Sequence, residues 1–126
     1  AWAQAAQRVT LLFEVEGLEL ASGAVTAGSA AAEGGGDIIV AFNAHNSVHA
    51  VVLPAREGIA IAHLTGAAFD ADVAGAATAV EFPAAAPDRP FVAGSTVLVR
   101  TPDGALFKLG NPSEDEAAVS FDCEQL

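Results

Sequence analysis

The stretch that most constrains what this chain can fold into is Ser95–Leu109, STVLVRTPDGALFKL. Two β-rich runs, Thr96–Thr101 and Ala105–Leu109, flank Pro102-Asp103-Gly104. Proline presets φ at the first turn position, aspartate hydrogen-bonds the turn backbone, and glycine takes a positive φ without steric cost. The segment is therefore predicted to be a β-hairpin. The same grammar recurs along most of the chain, with short apolar runs punctuated by Gly, Pro, Asn, Asp and Ser.

Arg8–Glu16, RVTLLFEVE, is β-branched and apolar with a period-2 tail, and Leu18–Leu20 continues it beyond Gly17 or forms a second short strand. Ala21–Gly36 is rich in Ala, Gly and Ser and reads as a surface loop, with a short edge strand over Ala24–Ala27. Asp37–Asn43, DIIVAFN, is nearly continuous in apolar residues, as expected of a central strand covered on both faces. Val48–Leu53 is a strand stopped by Pro54, and Ile59–Leu64 alternates cleanly. These two are expected to pair about a turn at 54–58. Asp70–Ala79 has enough Ala for one helical turn, but Gly75 and Thr78 oppose a long helix. A short strand is expected over Ala79–Phe82, followed by an extended connection through the prolines of Pro83–Pro90. Gly110–Glu116 reads as a polar turn and Ala118–Cys123 as the last strand. About eight short strands at turn spacings near ten residues, with little helix, predict an all-β fold: an antiparallel β-sandwich or small barrel.

At 126 residues the chain is expected to form one domain, with enough surface buried to need no disulfide or metal. Ala1-Trp2-Ala3 before Gln4 has the small-x-small pattern of a signal-peptidase site. Residues 1–7 are thus expected to be a flexible leader cut near Ala3/Gln4, and residues 8–126 a single β domain. On that pattern the protein is expected outside the cytoplasm, as a secreted, periplasmic or cell-surface protein of bacterial type. No run is long enough for a transmembrane helix.

The formal net charge is −11, from 5 basic and 16 acidic residues. Arg8, Arg56, Arg89, Arg100 and Lys108 are scattered, whereas nucleic acid and anionic membrane surfaces require clustered cations. Acidity of this size favours solubility and basic or cationic partners. The single cysteine, Cys123, excludes an internal disulfide and a Cys-rich zinc site. It reads as a half-buried hydrophobe on the last strand, with an intermolecular disulfide as the alternative.

His45, His49 and His63 are the most suggestive chemical group. If Val48–Leu53 pairs with Ile59–Leu64, His49 falls opposite His63, within reach of a shared ligand. Two imidazoles there, with His45 nearby, are candidate ligands for a divalent metal or a haem iron. Asp70 with Asp72, and Glu114-Asp115-Glu116, are carboxylate clusters that do not match the calcium-loop pattern and read as solvated loops. The chain carries no nucleophile elbow, phosphate loop or dinucleotide fingerprint. It is read as a non-enzyme without a cofactor. Glu14, Glu16 and Asp37 are the carboxylates from which a catalytic cleft would have to be built.

Val97–Thr101, the Pro102–Gly104 turn, Leu106–Lys108 and Val119–Phe121 together resemble the C-terminal part of HmuY-type secreted haem-binding lipoprotein domains. That resemblance covers about a quarter to a third of the chain. It implies an extracytoplasmic β-sandwich that binds a ligand, and no histidine lies within the matching segments to carry a haem-ligand role across. The reading that follows is an exported, non-catalytic module for protein–protein interaction or surface assembly through its sheet edges, with Arg8–Glu16 as a strand for a neighbouring subunit. The alternative is a metal- or haem-binding module using His49, His63 and His45.

Overall fold

The first and last strands of the chain lie side by side. In the computed structural model, β1 (Gln7–Leu12) pairs antiparallel with β9 (Ala118–Gln125), from Gln7 opposite Cys123 to Leu12 opposite Ala118. The described residues are 7–13, 16–26, 36–42, 50–65, 82, 90–92 and 94–126. Outside them fall residues 1–6 of the expected leader 1–7, whose last residue, Gln7, already belongs to β1, residues 27–35 of the expected loop 21–36, His45 and His49, and the segments 66–81 and 83–89.

Between β1 and β9 the chain visits two antiparallel sheets. It first builds β2 (Gly17–Glu19), β3 (Ala24–Thr26), β4 (Ile38–Phe42) and β5 (Ala50–Pro54), ordered β3-β2-β4-β5. It then crosses back to add β6 (Ala60–Thr65), β7 (Ser95–Arg100) and β8 (Leu106–Glu114), giving a five-stranded sheet ordered β1-β9-β8-β7-β6. The described residues are all-β, a small β-sandwich with no helix among them. No described helix is long and apolar enough to cross a membrane.

Strand alternation sets the core. Val9 and Leu11 on β1 face inward with Val119 and Phe121 on β9, while Arg8, Thr10 and Leu12 face outward. Val97, Val99, Phe107 and Leu109 extend the same inner face across β7 and β8. The other sheet answers with Leu18, Ile38, Val40 and Val52. Phe91 fills one end, edge-on to Phe121 with ring centroids 5.8 Å apart, and its N–H donates to Ala50 O at 2.7 Å. β4 lies between β2 and β5, and Ala41 on its other face is also buried, as its apolar run predicts.

The hairpin at 95–109 forms as expected. Thr101 N–H donates to Ala105 O, Gly104 N–H donates to Thr101 O, and Gly104 takes φ 92°. Three sequence expectations differ from what is found. The first strand stops at Leu12, well short of Glu16, because Glu16 turns back on it: its Oε1 accepts from Leu12 N–H and its own N–H donates to Leu12 O. The polar run Gly110–Glu116 is not a turn. β8 continues to Glu114 through a bulge between Gly110 and Ser113. Asn111 supplies the bulge with φ 51°, a conformation asparagine tolerates. The turn comes at 115–117, where Asp115 Oδ1 accepts from the N–H groups of Ala117 and Ala118.

The third difference decides the topology. β5 pairs with β4 and β6 with β7, so the expected hairpin about 54–58 does not form. Pro54 ends β5 without a donor, and the next residues cross to the other sheet. Gly58 takes φ 89° there and lies against Pro102, so close that an added Cβ would sit 2.7 Å from the proline Cγ. The crossover is fixed from the other side by Asp37. Its N–H donates to Leu18 O, its C=O accepts from Ala55 N–H, and its buried carboxylate accepts from Leu20 N–H (2.8 Å) and Arg56 Nε–H (2.5 Å).

Two substitutions check this account by urea unfolding. Asp37→Ala strands the Leu20 donor and the Arg56 guanidinium and should cost about 2–4 kcal/mol. Gly58→Ala combines a left-handed φ with the Pro102 clash and should cost about 1–3 kcal/mol. Unchanged midpoints would remove Asp37 and Gly58 as the anchors of the crossover.

Candidate functional site

Of the three histidines, only His63 lies within the described residues. It sits on β6 opposite Val97, half-buried on the core side, with its Nε2 atom buried. Because β5 and β6 belong to different sheets, the cross-strand register that was to bring His49 to His63 is absent. No group of three or more His, Cys, Asp or Glu among the described residues is arranged to hold a metal.

Three described acidic residues of the expected carboxylate groups, Glu16, Glu114 and Asp115, are engaged as acceptors. Glu16 closes the end of β1, Glu114 Oε2 accepts from Ala50 N–H at 2.8 Å, and Asp115 closes the β8–β9 turn. The two backbone donors, Ala117 first, hold the Asp115 carboxyl below its usual range. Glu14, Asp70 and Asp72 lie outside the described residues. Cys123 is fully buried on the inner face of β9 rather than half-buried, and burial pushes its thiol up to about 12. An intermolecular disulfide is closed to it while the domain is folded.

Sheet edges are the first candidate surface, because each presents backbone groups that a further strand can pair. β5 is blunted: Ala50 is bonded by Phe91 N–H and by Glu114, and Pro54 has no donor. β1 is different. Phe13 N–H donates toward Ala117 O, so by ladder alternation Val9 and Leu11 bond β9, while Arg8, Thr10 and Leu12 direct their backbone groups outward. Glu16 occupies those of Leu12. Arg8 and Thr10, at the rim of the sheet, have no backbone partner on that side among the described residues.

The side chains of that edge are held flat. Arg8 Nη1 bonds Asn111 O at 2.7 Å and Asp122 Oδ1 at 3.2 Å, and the Thr10 hydroxyl bonds that of Ser120 at 2.7 Å. β1 is therefore part of this domain's own core, with Leu11 fully buried, and not a strand held out for donation.

A second candidate is a cleft of about 380 Å³ at the end of the sandwich where the crossover meets the β7–β8 hairpin. One wall carries Asp37 and Arg56, and the other carries Thr101, Pro102, Asp103 and Gln125. Asp103 is exposed. The Thr101 hydroxyl, then Ala105 N–H, hydrogen-bonds its carboxylate and holds the carboxyl below its usual range, with Arg56 adding a smaller attraction. Sequence reasoning read Arg56 as a scattered cation and Asp103 as turn chemistry only. Nothing local in either segment signals that the crossover brings them together.

Compared with known proteins, the chain matches no family model, and no curated protein or solved structure matches it significantly.

The buried thiol gives a direct check. Cys123 should resist a thiol-reactive dye in buffer and react fully in denaturant. Its folded pKa lies above the unfolded value near 9.0, so its contribution to stability is complete below pH 9 and is lost as pH rises toward about 12. Cys123→Ala should remove that part of the alkaline decline in a series of unfolding midpoints. A native thiol as reactive as a free one would contradict its place in the core.

Proposed function

We propose that this domain is an exported, non-catalytic module that assembles through the β1 edge, with a second copy of the chain adding its own β1. The observation that carries this reading is the pair Arg8 and Thr10, whose outward backbone groups meet no partner among the described residues, on a strand whose neighbouring edge position, Leu12, is already occupied by Glu16. Antiparallel pairing centred on Val9 sets Arg8 opposite the partner's Thr10 and Thr10 opposite the partner's Arg8. Four backbone hydrogen bonds form, and no like charges face each other across the join. Leu12, 43% exposed, lies at the rim of the contact and adds apolar area. A slip one way would bring in a Leu12 whose N–H and C=O are taken by Glu16, and a slip the other way would set Arg8 opposite the partner's Arg8, so both are disfavoured against this register.

The test is the native mass of the full chain at micromolar concentration. The unaltered chain should run as a pair. Thr10→Pro removes an outward N–H without touching the internal ladder and should give a single chain. Thr10→Val, which loses only the hydroxyl bond to Ser120, should stay paired. A single chain before substitution, or a pair that survives Thr10→Pro, overturns the reading.

A further inference from the structure

We infer that the cleft between Arg56 and Asp103 is a binding site for a neutral polyhydroxyl ligand, a monosaccharide or the terminal unit of a glycan. None of its lining residues lies on β1, so the inference stands apart from the assembly reading.

Arg56 is fixed but not saturated. Its Nε–H is bonded to the buried Asp37 carboxylate, whose second oxygen accepts from Leu20 N–H. The other four of its five N–H donors, on Nη1 and Nη2, have no acceptor among the described residues. Across the cleft, Asp103 uses Oδ1 for Thr101 and Ala105, and no other described residue donates to its Oδ2. The Gln125 carboxamide adds one donor group and one acceptor, also without described partners. Pro102, Ala105 and Phe107 give the cleft an apolar side.

Charge selects among the ligands this set could take. Asp37 already neutralises Arg56, so Asp103 leaves the lining with one negative charge in a chain of net charge −11. A carboxylate or phosphate would satisfy Arg56 while facing Asp103, and an ammonium would do the reverse. Uncharged hydroxyls satisfy both walls, since each donates and accepts. A sugar ring carries several hydroxyls around its rim and presents C–H faces to apolar side chains. The volume is within the usual range for small-ligand pockets.

Saturation-transfer NMR on the full chain with D-glucose, D-galactose and D-mannose in turn is the test, with acetate as the anionic probe. At least one sugar should show transfer at millimolar concentration. Gln125→Ala, at an exposed site with no described bond, should keep the melting temperature and weaken that sugar about tenfold, the effect of one lost hydrogen bond. Asp103→Asn keeps an oxygen for Thr101 and Ala105 and should weaken it by a similar factor. Three results would overturn the inference: no transfer with any sugar, transfer that neither substitution weakens, or acetate binding in place of the sugars.

Discussion

The buried carboxylate of Asp37 is the constraint on which most of this molecule's geometry depends. Each polar group of that residue has a partner, and the partners belong to separate pieces of chain: Leu18 and Leu20 at β2, Ala55 and Arg56 at the crossover. A carboxylate removed from water is costly unless it is hydrogen-bonded and charge-paired, and here it is both. The consequence is topological. With the chain pinned at 55–56 and Pro54 unable to donate, β5 ends against β4 and the next strand begins in the opposite sheet.

Closure at the other side follows from pairing the chain's first and last strands. Val9 and Leu11 complete the core next to Val119 and Phe121, so β1 cannot be withdrawn without opening that core. Yet a strand added at the rim is also an edge. The molecule deals with these two edges unequally: among the described residues, β5 is closed by Glu114, Phe91 and a proline, whereas β1 is closed at Leu12 alone. Several carboxylates therefore serve as structural acceptors, and the acidic composition is not merely a solvated surface.

The elements legible in the sequence are those whose signal is local. The 95–109 hairpin, the alternation of Ala118–Cys123 and the apolar run over Ile38–Phe42 each specify a strand from neighbouring residues, and together they predict an antiparallel all-β fold. Sequence reasoning failed where a distant group decides. Pro54 and Gly58 look like hairpin punctuation, and only the reach of Arg56 back to Asp37, together with the close approach of Gly58 to Pro102, turns them into a crossover. Asn111-Pro112 looks like a turn, but β9 on one side and Arg8 on the other hold it as a bulge. The expected placing of His49 opposite His63 rested on the hairpin about 54–58, which does not form, and His49 itself lies outside the described residues.

The same crossover explains why a candidate ligand cleft exists at all. A tight β5–β6 hairpin would have kept Arg56 at the tip of one sheet, far in sequence and in space from the 101–105 turn. Crossing between sheets instead lays residues 55–58 across the end of the sandwich, where Gly58 meets Pro102 and Arg56 faces the hairpin that carries Asp103. Both walls are rigid for reasons independent of any ligand: Asp37 holds the guanidinium, and Thr101 with Ala105 holds the Asp103 carboxylate. Donors and acceptors fixed in this way lose little entropy on meeting a ligand, so a small uncharged molecule need make only a few hydrogen bonds to be held.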